Sequence, residues 1–244
     1  MAERRPNYQK EKENIRRETW LTLEKYEVVT TPRPCYGKIP GFIGSSGVQT
    51  KLVKLEHFRT SSVIYTTPDV PMRVVREESL RRGKQVILSL PGLKGYVLLD
   101  SDKIPPHRLG YASTLRGALA MGERIKWPEN MKIDIVFIGS VAVNTNGARL
   151  GRGDGLYDLE YGILRELHVI SERTPIVTIV HDLQVIEKKI PMLPHDVPAD
   201  FIITPTRVLI TSTPFPRPPG VIWESLSIEF IKSTPILRAL FGIS

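Results

Sequence analysis

The sequence predicts an α/β protein, three layers in which helices cover both faces of a mainly parallel sheet. Two observations carry this. Short β-branched, apolar runs alternate with longer stretches whose apolar residues recur at helical spacing. Several of those runs, 133–143 and 175–180 among them, are apolar on both alternating sides, as strands covered on both faces are. With 244 residues, 41% hydrophobic and 25% charged, the chain suits a single domain over 1–244 with one substantial core, residues 1–50 forming an N-terminal helix and a Pro/Gly-rich arm.

In chain order, residues 1–9 read as a polar tail. A helix is predicted over 9–26, where Ile15, Trp20 and Leu23 form an apolar stripe and Lys12, Arg16 and Arg17 crowd the first half. Cations there oppose the helix macrodipole unless an anion lies nearby; a solvated basic face is the other reading. Residues 30–47 hold three prolines and four glycines, which predicts an irregular surface segment. A short helix over 50–58 precedes a strand over 63–65 that ends in Thr66-Thr67-Pro68-Asp69. A helix over 71–82 has Pro71 in its first turn and Gly83 as its stop. Strands at 85–90 and 96–99 flank a turn at Pro91-Gly92, and a short helix over 113–121 and a loop at 127–130 follow.

The run 133–143 is the central strand. Asn146-Gly147 marks a turn, and a helix over 156–167 carries Leu156, Leu159, Ile163 and Leu167 on one face. A strand at 175–180 ends in His181-Asp182, and strands at 200–204 and 207–211 bracket Pro205. Pro214, Pro216, Pro218, Pro219 and Gly220 then break regular structure before helical pieces over 223–240.

Composition bounds the function. No apolar run approaches the roughly 20 residues that span a bilayer, and the charged N-terminus has no signal-like apolar stretch. A lone Cys35 excludes an internal disulfide, consistent with a cytoplasmic protein, and reads as a loop or core residue. The net charge of +8 suits nucleic acid and small polyanions alike, but no Arg/Lys run is interleaved with aromatics as in single-strand binders. No His/Cys set has zinc-ligand spacing.

Chemistry concentrates between the central strand and the next helix, where Gly151, Gly153 and Gly155 alternate with Arg152 and Asp154. Backbone without side chains can turn several N–H groups on one anion, helped by the positive end of the following helix. Arg149 and Arg152 add forks suited to phosphate oxygens. A loop that merely turns the chain would use the same glycines. Two known phosphate motifs are excluded. The third glycine of a dinucleotide fingerprint is replaced by Leu156 or Asp158, depending on the register. The only Gly-Lys pairs, Gly37-Lys38 and Gly83-Lys84, lack the Ser or Thr of a P-loop.

Arg149-Leu-Gly-Arg-Gly-Asp-Gly-Leu-Tyr-Asp158 resembles the signature of the 5-formyltetrahydrofolate cyclo-ligase (methenyltetrahydrofolate synthetase) family, roughly Arg-x-Gly-x-Gly-x-Gly-Tyr-Tyr-Asp. Lys12-Glu-Asn-Ile-Arg16 is similar to that family's opening Lys-x-x-Leu-Arg helix, and Pro194-His-Asp-Val-Pro-Ala-Asp200 to its C-terminal His-Asp-x-Pro-x-Asp segment. Thr31-Pro-Arg-Pro34, Ile39-Pro-Gly-Phe42, Ile179-Val-His-Asp-Leu-Gln184, Thr204-Pro-Thr-Arg-Val208 and Pro235-Ile-Leu-Arg238 resemble its divergent branch, the methenyltetrahydrofolate synthetase domain-containing proteins. Together the matches run through nearly the whole chain.

The resemblance implies a sheet like those of sugar-phosphate isomerases and CoA transferases, and the ATP- and Mg²⁺-dependent conversion of 5-formyltetrahydrofolate, or a related reduced pterin, to the methenyl product. ATP would phosphorylate the formyl oxygen, the neighbouring ring nitrogen would attack, and phosphate would leave. Positioning and cations do this work rather than a protein nucleophile. By the same resemblance Lys12, Arg16, Arg149, Gly151, Arg152, Gly153, Asp154, Gly155, Leu156 and Tyr157 would bind ATP. Asp158 and Asp196 would hold Mg²⁺, Arg149 and Asp158 would be catalytic, and Tyr65, Asp69 and Gln184 would face the pterin. Read from spacing alone, Asp158 is equally a helix-terminal carboxylate that favours the dipole, and His195 a turn or packing residue.

Three positions depart from the family pattern. Asp154 replaces a Lys of the glycine loop, Leu156 replaces the first Tyr, and Asp69-Val70 stand where a substrate-binding Glu is usual. A binding or regulatory protein that keeps the fold without turnover is therefore the alternative function, and an RNA-associated role is a third. The sequence does not specify an oligomeric state.

Overall fold

The computed structural model describes residues 7–242, so most of the polar tail predicted for 1–9 lies outside the described residues. The helix begins earlier than that tail allows: Asn7 caps α1 (Tyr8–Lys25), its side chain accepting from the Lys10 amide at 3.1 Å. Further elements are α2 (Ser45–Leu52), α3 (Glu56–Thr60), β1 (Val63–Thr66), α4 (Arg73–Arg81), β2 (Gln85–Ser89), β3 (Tyr96–Asp100), α5 (Leu109–Ala112), α6 (Leu115–Met121) and β4 (Glu123–Ile125). They are followed by β5 (Ile135–Phe137), β6 (Ala142–Val143), β7 (Arg149–Leu150), α7 (Leu156–Glu166), β8 (Ile176–Ile179), β9 (Phe201–Ile203), β10 (Val208–Ile210), α8 (Ile228–Ser233) and α9 (Pro235–Leu240).

Eight strands form one sheet in the order β10-β9-β8-β5-β1-β2-β3-β4. The five central strands, β9 to β2 in that order, pair in parallel, and antiparallel pairing enters only at β2–β3, β3–β4 and β9–β10. The parallel strands are apolar on both sides because both sides are covered. On one face α1 and α7 pack Trp20, Leu23, Tyr157, Tyr161 and Leu164 against Tyr65, Ile87, Val136 and Ile176. On the other, α2, α3 and α4 pack Val48, Leu52, Phe58, Met72 and Val75 against Ile64, Ile135, Phe137, Val177 and Ile203. The expected α/β/α layering is the observed one.

Several boundaries differ from expectation, each for a local reason. The helix expected over 50–58 is two helices: α2 starts at Ser45 after Gly44 and ends before α3 begins at Glu56. The segment 30–47 is irregular but not superficial. Cys35, Ile39 and Phe42 are buried, and an antiparallel bridge joins Val29 to Phe42. Burial pushes the Cys35 thiol up to about 12, which leaves it unreactive. The run 133–143 is broken: only 135–137 joins the large sheet, and 142–143 forms a separate hairpin with β7 around Gly147. The edge strand β4, Glu-Arg-Ile, has no apolar alternation to announce it.

The most informative difference concerns α7. Its predicted apolar stripe, Leu156, Leu159, Ile163 and Leu167, faces a layer built by the C-terminal segment, with Val221, Ile231, Ile236 and Leu237. The sheet receives another stripe, Tyr157, Glu160, Tyr161 and Leu164. This helix is covered on two sides. No helix among the described residues is long and apolar enough to cross a membrane.

Candidate active site

The loop between β7 and α7 turns by means of Gly153 and Gly155, with φ of +115° and +69°; L side chains rarely adopt such angles. Gly155 is the N-cap of α7 and, having no side chain, caps none of that helix's first N–H groups itself. Across from it, α1 contributes two cations. Arg16 donates from Nε to the Gly151 carbonyl at 2.8 Å, and Lys12 forms a buried ion pair with Asp196. Between them lies a cavity of about 570 Å³, lined by Lys12, Arg16, Arg149, Gly151, Gly153 and Gly155, with Asp158, His195 and Asp196 closing it. The structure thus brings together most of the predicted phosphate-binding set on residues far apart in sequence.

Arg149 stands differently from the expectation of a fork turned to phosphate. It is 2% exposed, and its guanidinium is bound internally. Nε donates to the Val197 carbonyl at 2.7 Å, Nη1 to the Gly139 carbonyl at 3.2 Å, and Nη2 pairs with Asp158. Asp158 Oδ1 also accepts from the Val197 amide at 2.9 Å, and Asp196 Oδ2 from the Leu193 amide at 2.6 Å. Each carboxylate therefore has one oxygen engaged by a cation and a backbone N–H, while its other oxygen accepts no hydrogen bond among the described residues. Two such oxygens beside one cavity suit Mg²⁺, which takes one or two carboxylates together with phosphate and water. No group of three His, Cys, Asp or Glu side chains that could hold a metal occurs among the described residues.

Behind the glycine loop, Tyr157 donates from its hydroxyl to Asp69 Oδ1 at 2.9 Å, and Thr67 donates to Asp69 Oδ2 at 2.8 Å. Gly139 admits this carboxylate, since a Cβ there would collide with it. Burial raises the Asp69 carboxyl above its usual range, the hydroxyl donors opposing the shift. Burial and the neighbouring Asp69 also raise the Tyr157 phenol. Asp69 is thus joined to the glycine-loop helix.

Four residues of the predicted ATP set do not line the cavity. Arg152 lies over the Tyr157 ring, 5.5 Å from its centroid, and pairs with Asp154 at 2.6 Å. Asp154 also accepts from the Leu156 amide at 3.3 Å, so its charge caps the helix start and meets Arg152 rather than the cavity. Leu156 packs on the C-terminal layer, which accounts for an apolar residue where the family pattern has Tyr. Tyr157 faces Asp69. Of the residues expected to face the pterin, Gln184 is 1% exposed, donates to the Ser140 and Val141 carbonyls at 3.1 and 3.0 Å, and accepts from the His181 amide at 2.8 Å. Its amide holds the chain entering β6. Tyr65 lies deeper, under Glu160, which belongs to no sequence motif, and near Ser89 and Tyr96, which belong to none either. The available signal was an acid three residues after Tyr157, on the same helix face.

Comparison with known proteins gives the family. Residues 8–205 match the 5-formyltetrahydrofolate cyclo-ligase family. A methenyltetrahydrofolate synthase domain-containing protein of Bos taurus is 34% identical over 234 residues, 94% of this chain and 61% of that protein. The chain thus spans about three-fifths of the length of such relatives. A 5-formyltetrahydrofolate cyclo-ligase of Mycolicibacterium smegmatis is 35% identical over 77 residues, 32% of this chain and 36% of that one. The NMR structure of Aquifex aeolicus 5,10-methenyltetrahydrofolate synthetase superposes with a TM-score of 0.52 at 19% identity, covering 82% of this chain and 92% of that one, a likeness of fold. With the family match running from α1 through β9, this chain belongs to the 5-formyltetrahydrofolate cyclo-ligase family.

Proposed function

We propose that this protein converts 5-formyltetrahydrofolate, or a related reduced pterin, to 5,10-methenyltetrahydrofolate, consuming ATP in the presence of Mg²⁺ and releasing ADP and phosphate. One observation carries the reading. A cavity of ligand size has cations from α1 on one side, the glycine loop and the start of α7 on the other, and at its edge two carboxylates, each with one oxygen that accepts no hydrogen bond among the described residues. Lys12 and Arg16 neutralise the triphosphate. The backbone N–H groups of 151–155 and of the first turn of α7 orient it. Asp158 and Asp196 hold Mg²⁺, which supplies charge neutralisation to the phosphate oxygens. Arg149, bound internally, acts as a positioning residue that fixes Asp158. Asp69 and Tyr157 receive the pterin on the far side of the loop, where the formyl oxygen meets the terminal phosphate.

A second reading, a nucleotide- or folate-binding protein without turnover, is favoured by Asp154, a negative charge in a phosphate loop. Its pairing with Arg152 weakens that objection. The test is incubation with Mg²⁺-ATP and 5-formyltetrahydrofolate, following the methenyl product by absorbance, with Asp158→Ala as control. Product from wild type and none from the variant is expected. Absence of product from a wild type that binds ATP would overturn turnover and favour the binding role.

A further inference from the structure

Beneath the Asp69–Tyr157 pair lies a polar cluster that the proposed reaction does not use. Tyr65 on β1, Ser89 at the end of β2 and Tyr96 at the start of β3 share one face of the sheet. The register pairs Tyr65 with Ile87, two residues before Ser89, and pairs Ser89 with Tyr96. Over them α7 brings Glu160, one turn after Tyr157. All four are 3% exposed or less. The Tyr65 hydroxyl, the Ser89 hydroxyl and Glu160 Oε1 are shut off from solvent and make no well-formed hydrogen bond among the described residues, although the Tyr65, Ser89 and Tyr96 hydroxyls lie close enough to the Glu160 carboxyl to act on it.

As plain core this makes little sense. A buried hydroxyl or carboxyl without a well-formed hydrogen bond loses its hydration for little in exchange. Elsewhere the same face is filled by Ile87, Val136 and Ile176. The cluster lies at the C-terminal ends of β1 and β2, where open α/β sheets receive ligands, and near enough to Asp69 for that charge to act on Glu160. Tyr96 also borders a cavity of about 460 Å³ with Trp127, Lys94 and Lys126.

We infer that Glu160, with Tyr65 and Ser89, is the specificity-determining subsite for the substrate's heterocycle. The carboxyl takes the adjacent ring N–H and amino donors of a 2-aminopyrimidinone edge, and the hydroxyls meet that ring's acceptors. This rests on the cyclo-ligase reading and names the residues that would discriminate within it.

Calorimetric titration of the full chain with 5-formyltetrahydrofolate, and separately with a non-hydrolysable ATP analogue, tests the inference. Glu160→Gln is expected to bind the folate about tenfold or more weakly than wild type, since it puts an amide donor in place of one acceptor oxygen of a buried site. Its affinity for the ATP analogue is expected to stay within about twofold of wild type. Tyr65→Phe, which removes only a hydroxyl, is expected to weaken the folate alone. Unchanged folate affinity in both variants overturns the inference and leaves the cyclo-ligase reading standing. Equal weakening of both ligands marks Glu160 as a structural residue and overturns it too. A wild type that binds the ATP analogue but no reduced folate overturns the reading itself.

Discussion

Four acids gather around the first two turns of α7, and the fold treats them in two ways. Asp158 and Asp196 each meet a cation and a backbone N–H. Asp69 meets only hydroxyls, and Glu160 Oε1 makes no well-formed hydrogen bond among the described residues. The first pair faces cations, while burial pushes the second pair toward neutrality. On the proposed reading the contrast follows the substrates, with fixed charge where a metal and a polyanion bind and little of it where an uncharged heterocycle binds.

The contrast is broken most severely at Arg149. Arg149→Met leaves the Asp158 carboxylate partly buried without its cation and should cost about 3–5 kcal/mol of stability, read from the urea midpoint. A midpoint close to that of wild type would mean that the pairing does not hold this charge. Next comes pH. The folded protein holds the Glu160 carboxyl neutral until about pH 7, whereas the unfolded chain releases that proton near 4.5. The folded state therefore binds the extra proton, and its contribution to stability, full below about 4.5, is lost as pH rises through about 7. The loss is about 3 kcal/mol, since each tenfold difference in proton affinity between the two states is worth roughly 1.4 kcal/mol. Subtracting the stability–pH curve of Glu160→Gln from that of wild type should isolate it, and parallel curves would refute it.

Smaller effects sharpen the same contrast. Tyr157→Phe removes one of the two hydroxyls that donate to Asp69 and should cost about 1 kcal/mol, measured by thermal melting at a mildly alkaline pH. Smallest is Asp154→Lys. The Arg152–Asp154 pair is partly exposed, so stability should change by less than about 1 kcal/mol. On the proposed reading, affinity for an ATP analogue should rise with the added cation. A large loss of stability would show that Asp154 matters more as a cap than its exposure suggests.

Much of the scaffold is legible in the sequence because its signals are local. Gly83 stops α4, with φ of +72°, and apolar β-branched residues mark β1, β2 and β8. The glycine loop is legible too, since no regular element accommodates alternate glycines before a helix. What escapes depends on contacts between distant segments. The helix over 156–167 shows its apolar stripe plainly, yet nothing local tells whether sheet or C-terminal segment covers it. The sheet-facing stripe, Tyr157, Glu160 and Tyr161, carries polar tips and reads as solvent-facing. Gly44 and Gly47 look like breakers, but one caps α2 and the other lies inside it against the Pro205 carbonyl. Gln184, assigned to substrate by family likeness, is held by backbone carbonyls that no sequence motif reveals.

The buried pair between Lys12 and Asp196 joins residues 184 positions apart. Loop closure over such a span comes late in folding. During synthesis, when a chain emerges from its N-terminal end, α1 and the glycine loop are both made before the acid that ties them into one cavity. A nascent chain that has not reached Asp196 has its cations and its glycines, but not the wall that turns them into a site. Nucleotide binding would therefore report a completed α/β core rather than a finished loop.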